Sequence, residues 1–275
     1  MKFLFENRPI EDKIVLGKIC FDILSQPIED KQFSQEYCGI WIDGRNRTLN
    51  SIEDLASIKS FYLYSARKYP MLVFCYNTDK FLEGLDISNL PIQIVKIDEI
   101  NTHKGYSDFC KKELPFKIPI EYEKLLFLQT DSFLIKNGWE DYLNSIDVDY
   151  LGSPWLHTPM INIKDETGWN MIPRPIQVGN GAISFRRLSR MRQISELFSK
   201  HELREHGTLD KEPAEDLFYA FFIQFYGKLA TVEEASRFCA DPLTLEIYNN
   251  KSVFGGHFPV YKDRFKEKYL KISKT

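Results

Sequence analysis

The chain has 275 residues, with 36 basic against 39 acidic side chains and a formal net charge of -3. That balance excludes long-range attraction to nucleic acid or to an anionic membrane, and the length is enough to bury a large α/β core. Its 5 cysteines are widely spaced and form no CxxC pair, so a disulfide framework and a zinc ribbon are excluded and reduced, packed thiols are expected.

In chain order, the opening MKFLFENRPIEDK reaches acidic residues before any signal-type apolar run forms. No later segment approaches the roughly 18 uninterrupted apolar residues of a membrane span. The expectation is a cytoplasmic protein, with peripheral association at the inner face of the membrane left open. EYCGIWIDG reads as a strand ending in a turn at Asp43 and Gly44. A helix is predicted from Ser51, because SIEDLASIKSFYLYSARK offers a serine cap with Asp54 three positions on. PMLVFCYN and PIQIVKI are short continuous apolar runs of the kind that form buried strands. KLLFLQTD supplies the next strand, GWEDYLNSI a helix, and VDYLGSPW a brief strand and turn. Alternating strands and helices predict an α/β fold around a mainly parallel sheet. Such sheets bind ligands beyond the carboxyl ends of their strands, where Asp43, Asn77 and Asp131 fall.

Residues 157–177 carry prolines and little periodicity, and read as a long loop that closes over or shapes a binding site. VGNGAISFRR reads as a glycine-bearing turn feeding a short strand, and LSRMRQISELFSKH as a helix. EPAEDLFYAFFIQFYG is the most strongly patterned helix, with Pro213 near its first turn and acids at its N-terminal end. VFGGHFPVYKDRFKEKYL reads as a glycine turn bearing His257 and then a basic amphipathic tail. No linker interrupts the chain, so residues 1–275 read as one domain.

Several residues carry possible chemistry. Asp131 follows a buried strand, where an unpaired carboxylate costs several kcal/mol. It therefore sits exposed at a strand end, forms a turn, or meets a cation or ligand. Glu215 and Asp216 are adjacent and point about 100° apart on a helix, so one can face a cleft while the other caps the helix or meets a cation. Gly179 and Gly181 flank Asn180 in a pattern that is neither a phosphate-binding P-loop nor a dinucleotide fingerprint. His257 can ligate a metal, donate to a phosphate or simply pack. His103, His157, His201 and His206 show no ligand spacing, and no GxSxG anchors serine hydrolase chemistry.

Taken in order, LLFLQTDSFL, YLGSPW, GNGAISFRR, EDLFYA and FGGH resemble the DUF5672 family of uncharacterised proteins, related to GT-A-fold glycosyltransferases. The resemblance covers residues 120–260 well and the first hundred only by element order. It implies a GT-A-like (nucleotide-diphospho-sugar transferase) single domain, with 1–135 as a nucleotide-sugar-binding half and 136–275 as an acceptor-binding and catalytic half. It implies an inverting glycosyltransferase that moves a sugar from a nucleotide-sugar donor, UDP-linked by preference, to a glycan hydroxyl in surface polysaccharide or glycoconjugate synthesis. Asp131 then resembles the surviving carboxylate of a DxD motif, and His257 the late histidine, both as ligands of Mn²⁺ or Mg²⁺. Gln129 departs from DxD and puts the need for metal in question. Asp216 takes the role of catalytic base with Glu215 beside it. Gly179, Asn180 and Gly181 line the donor-sugar pocket, Trp155 stacks on a sugar, and Gln129, Thr130 and Ser132 add polarity at the sheet edge. Asp43 and Arg45 meet the base or ribose. Two alternatives stay open: a GT-A-like enzyme transferring a nucleotidyl or phosphoryl group, and an inactive sugar-nucleotide-binding protein, for which Gln129 is the motive.

Overall fold

Each apolar run read as a strand enters one sheet. A computed structural model describes residues 10–47, 49, 51–78, 89–155, 159–205 and 213–258. Its elements are α1 (Ile10–Ser25), β1 (Tyr37–Asp43), α2 (Ile52–Leu63), β2 (Met71–Cys75), β3 (Ile92–Lys96), α3 (His103–Lys112), α4 (Leu114–Lys117), β4 (Lys124–Leu128), β5 (Ser132–Leu134), α5 (Trp139–Ile146) and β6 (Tyr150–Pro154). They continue with β7 (Ile161–Asp165), β8 (Gly168–Met171), β9 (Val178–Arg187), α6 (Leu188–Phe198), β10 (Leu203–Glu205), α7 (Glu215–Tyr226), α8 (Val232–Phe238), β11 (Cys239–Ala240), α9 (Leu245–Asn250) and β12 (Gly255–His257).

The central sheet has 6 strands in the order β3-β2-β1-β4-β9-β6. The first four run parallel, β9 pairs antiparallel with β4, and β6 pairs antiparallel with β9 and so runs in the direction of the first four. This is the α/β, mainly parallel arrangement that the sequence predicted. Strict alternation divides the strands between two cores. Tyr37 and Trp41 of β1 and Leu126 and Leu128 of β4 join Phe61 and Tyr62 of α2 and Trp139 of α5 on one face. Cys38, Ile40 and Ile42, with Leu125 and Phe127, meet Phe109 of α3, Met191 of α6 and Leu217 of α7 on the other. Because both faces are covered, β1 and β2 are buried along their whole length, which is why they read as unbroken apolar runs.

The predicted start of α2 is realised as a capping box. Ser51 Oγ accepts from the Asp54 N–H, and the Asp54 carboxylate accepts from the Ser51 N–H, each at 3.1 Å. The helix α1 was not anticipated; it buries Leu16, Ile19 and Ile23 in a third core with Ile52 and Phe133. All 5 cysteines are buried and none forms a disulfide. Among the described residues no helix is long and apolar enough to cross a membrane.

Three readings are corrected. Within the 157–177 segment residues 161–171 are regular, since β7 and β8 form a hairpin and β10 completes a three-stranded sheet, while residues 172–177 carry no regular structure. Its turn is made by Asp165, whose Oδ1 accepts from the Thr167 N–H at 2.8 Å and hydroxyl at 2.7 Å, a local signal that the flanking prolines obscured. VGNGAISFRR is a single ten-residue strand, with its irregular register opposite Gly152 and Ser153. FGGH is not a turn either, since Gly255–His257 is β12. His157, His206 and the basic tail lie outside the described residues.

Strand β12 belongs to a second small sheet, β11-β12-β5, in which His257 pairs with Ser132 and Gly256 with Ala240. The strands approach so closely that a Cβ on Gly255 would lie 2.8 Å from the Phe133 carbonyl oxygen and 2.5 Å from Ile183 Cδ1. We predict that Gly255→Ala lowers stability by about 1–3 kcal/mol, the usual cost of overpacking a filled site. Urea denaturation checks this, and an unchanged midpoint would mean that β12 can leave β5 at no cost.

Candidate functional site

The Gln129–Ser132 turn carries the chain from β4 to β5 and sets the position of Asp131. The Gln129 carbonyl accepts from the Ser132 N–H at 3.0 Å and the Ser57 hydroxyl at 2.8 Å, while the Ser132 hydroxyl accepts from the Gln129 N–H at 2.7 Å. Ser132 is fully buried, and its hydroxyl is turned to this backbone. The turn leaves Asp131 beside the strand that pairs with β12, so register alone brings His257 to it. His257 Nε2 stands 3.2 Å from Asp131 Oδ1, and Nδ1 stands 3.5 Å from Asp241 Oδ1. Burial disfavours the imidazolium, but the Asp131 and Asp241 carboxylates outweigh it and push the His257 pKa up to about 10.

A second polar group forms where β1 ends. Asp43 is buried, and its carboxylate accepts from Arg45 Nε at 2.8 Å, Arg45 Nη2 at 2.5 Å and Arg47 Nε at 2.6 Å. Burial alone would raise its pKa, yet the Arg45 hydrogen bonds and the Arg47 charge hold the carboxyl below the ordinary range. Arg47 continues to Asp54 with hydrogen bonds of 2.6 and 2.8 Å, and to Thr130 Oγ1 at 3.3 Å. The helix cap of α2 is thereby tied to the chain at the ends of β1 and β4. Arg45 is the half-exposed member, its side chain 47% accessible.

The third group sits where α7 begins. Asp216 Oδ2 accepts from the Gly181 N–H at 3.1 Å and Oδ1 from the Leu217 N–H at 2.7 Å. Gly181 permits this approach, since a Cβ there would lie 2.9 Å from Asp216 Cβ and 2.8 Å from Arg186 Nη2. Glu215 is buried, with Oε1 3.3 Å from Arg186 Nη2. Arg186 is itself fully buried over the rings of Phe127, at 4.2 Å, and Tyr150, at 5.0 Å. Burial and the adjacent Glu215 charge push the Asp216 pKa up to about 7, against the Gly181 and Leu217 N–H groups and the Arg186 charge. A carboxyl so placed can exchange a proton near neutrality.

All three groups line one cleft of about 510 Å³. Of the predicted site residues, Asp43, Arg45, Gln129, Thr130, Asp131, Asn180, Glu215, Asp216 and His257 line it. Ser132, Trp155, Gly179 and Gly181 are not among the lining residues. Trp155 instead packs against Gly179, where a Cβ would lie 2.8 Å from its ring. Sequence reasoning missed the Asn101–Thr102–His103 segment and Tyr106, which line the cleft at the start of α3. It also missed Arg47, which bridges Asp43 and Asp54 nearby in the chain, and Arg186 and Asp241, whose contacts are distant in sequence. Among the described residues no group of three or more His, Cys, Asp or Glu is arranged to hold a metal.

The family model described as "Protein of unknown function (DUF5672)" matches residues 89–257, more than half of the chain. That span takes in Asp131, Glu215, Asp216, Asp241 and His257 and begins after Asp43 and Arg45. No curated protein matches the sequence. Among solved structures, the chain is similar to 4-diphosphocytidyl-2C-methyl-D-erythritol synthase from Anaerococcus prevotii, with TM-score 0.42 and 10% identity over 71% of this chain and 87% of that one. It is similar to the mannosyltransferase Ktr4p from S. cerevisiae, with TM-score 0.41 and 12% identity over 80% of this chain and 74% of that one. It is also similar to the glycosyltransferase GlyE of Streptococcus pneumoniae, with TM-score 0.40 and 11% identity; 87% of this chain and 60% of that one are covered.

The environment of Asp216 has a measurable consequence for stability. Its folded pKa of about 7 lies above the unfolded value of about 3.9. The stability it contributes is complete below about pH 4 and is lost as the pH rises through about 7. Asp216→Asn lacks this titration, so the variant should gain stability relative to the native chain across that window and hold the gain above it. Denaturant unfolding of both proteins at a series of pH values checks this, and a difference that stays flat with pH would assign Asp216 an ordinary pKa.

Proposed function

We propose that this chain, which belongs to the DUF5672 family, is a glycosyltransferase that moves a sugar from a nucleotide-sugar donor to a hydroxyl of a glycan acceptor with inversion. The observation that carries this reading is one cleft lined both by the Asp131–His257 pair and by Asp216 poised near neutrality. The volume of about 510 Å³ falls within the range of small-molecule sites. A UDP-linked donor is the first choice, and surface polysaccharide or glycoconjugate synthesis is the proposed setting.

A divalent cation fits the first pair. Two ligands bound at about 2.1 Å and at right angles lie about 3 Å apart, and Asp131 Oδ1 and His257 Nε2 are separated by 3.2 Å. A mixed imidazole–carboxylate set favours Mn²⁺ over Mg²⁺, which prefers oxygen alone. Asp131 and His257 would hold the ion, with water and the diphosphate completing its shell, and when bound it would neutralise charge on the leaving nucleoside diphosphate. Gln129 contributes no charge at this edge, so the two-ligand site is expected to bind metal weakly without donor.

The rest of the reaction falls to side chains of this chain. Arg45, fixed by Asp43 at the rim, offers N–H groups to the nucleotide. Asn180 is the cleft-lining member of the Gly179–Gly181 segment and orients the donor sugar. The acceptor oxygen forms its bond to the anomeric carbon as the bond to the diphosphate oxygen breaks, and Asp216 takes the hydroxyl proton. Glu215, held by Arg186, keeps negative charge beside Asp216 and so maintains its basicity near pH 7.

Asp216→Asn should retain donor binding and lower turnover by about 10²-fold or more, the usual scale of general-base catalysis. Nucleoside diphosphate release with acceptor present measures the turnover, and product NMR should show an anomer opposite to the donor's. Retained configuration would remove Asp216 from the base role. A Glu215→Gln variant that loses turnover while Asp216→Asn keeps it would pass the role to Glu215.

The metal reading has its own test. Asp131→Asn and His257→Ala should each weaken Mn²⁺-dependent donor binding, and the double variant should lose less than the sum, since ligands of one ion are coupled. Isothermal titration with UDP and Mn²⁺ reads the effect. Binding indifferent to EDTA, or strictly additive losses, would leave a metal-free diphosphate site.

A further inference from the structure

His257 is held between two carboxylates, and only Asp131 lines the cleft with it. The other, Asp241, comes from the end of β11. Parallel pairing of β11 with β12 sets Ala240 opposite Gly256, so the next residues, Asp241 and His257, lie alongside each other. The Leu243 N–H donates to the His257 carbonyl at 2.7 Å and fixes the backbone on that side. Asp241 Oδ1 faces His257 Nδ1 at 3.5 Å, and Oδ2 accepts from Asn180 Nδ2 at 2.5 Å. Asn180 Oδ1 in turn accepts from the Ala182 N–H at 3.1 Å. Nδ1 is buried and makes no hydrogen bond of normal geometry among the described residues, and the Asp241 carboxylate at 3.5 Å is the acceptor it faces.

We propose that Asp241 is a positioning residue: its Oδ1 holds the Nδ1 side of His257, so that Nε2 faces Asp131 and the cleft, while its Oδ2 ties this ring to the cleft-lining Asn180. An imidazole has two nitrogens, and the partner of one decides what the other can do. With Nδ1 facing a carboxylate, Nε2 is the nitrogen turned to Asp131 and the cleft, where an ion or a diphosphate would meet it, and ligating histidines are generally oriented by such partners. The Asn180 contact adds a link between the part of the cleft assigned to the donor sugar and the part assigned to the diphosphate. Asp241 does this without touching either. The inference rests on the functional reading only in what Nε2 meets, and the ring orientation can be tested without it.

The test uses the full chain with Asp241→Ala and Asp241→Asn, a crystal structure of each, and titration with Mn²⁺ alone. In Asp241→Ala the His257 ring should turn or divide between orientations, losing its 3.2 Å contact to Asp131, and Mn²⁺ affinity should fall by about 10–100-fold. His257 and Asn180 meet different oxygens of Asp241, so in Asp241→Asn one of these positions becomes an NH2 group that cannot accept; one contact should break and the loss of affinity should be smaller. The ring unmoved in Asp241→Ala overturns the proposal. If that variant does not fold, both contacts intact in Asp241→Asn with undiminished Mn²⁺ affinity overturn it. If neither the native chain nor the variant binds Mn²⁺ while the ring still turns, the positioning role stands and the metal is removed from the proposed function.

Discussion

The pairing of β12 with β5 is the constraint on which the rest of the cleft depends. Asp131 ends the turn that follows the buried strand β4, in a place where a carboxylate needs a partner. Antiparallel register supplies one, because setting His257 opposite Ser132 leaves the imidazole 3.2 Å from Asp131. A shift of one residue would send the His257 side chain to the opposite face of the small sheet. The two glycines before His257 keep β12 close to both neighbours, since a Cβ on Gly256 would lie 2.9 Å from the Ala240 carbonyl oxygen. Packing, register and charge therefore agree on one position for the histidine.

The acids of the cleft are held in different states by different neighbours. Asp43 is kept ionised by two arginines, and Glu215 lies against the buried Arg186. Among the described residues Asp216 has only backbone N–H groups as direct hydrogen-bond donors and a carboxylate beside it, and its pKa moves toward neutrality. A carboxyl whose surroundings bring its proton affinity near neutrality is the usual candidate for a proton-transfer role. The same buried guanidinium, Arg186, also lies over Phe127 of β4, which links Glu215 to the strand that leads to Asp131.

What could be read in the sequence was what depends on near neighbours. The Ser51–Asp54 cap spans three residues and was predicted in detail. The alternating cores of β1 and β4 follow from continuous apolar runs. Asp131 could be singled out because an acid after a buried strand poses an energetic problem, but the residue that answers it lies far along the chain. Asp241 gave no signal at all: its importance comes from β11, a two-residue strand. The β7–β8 hairpin was missed for the opposite reason, since prolines on both sides outweighed the Asp165 turn. Trp155 was chosen as a sugar platform from residue type, whereas its ring fills the space over Gly179.

The central claim is that Asp131 and His257 form the diphosphate end of a donor site. Its most direct test is a crystal structure of the chain with a nucleoside diphosphate and Mn²⁺. The account predicts the ion bound to Asp131 and His257 Nε2, with the diphosphate oxygens within about 3 Å of it and the nucleoside directed toward Arg45. A diphosphate bound away from this pair, or a cleft that stays unliganded at saturating nucleotide, would contradict it.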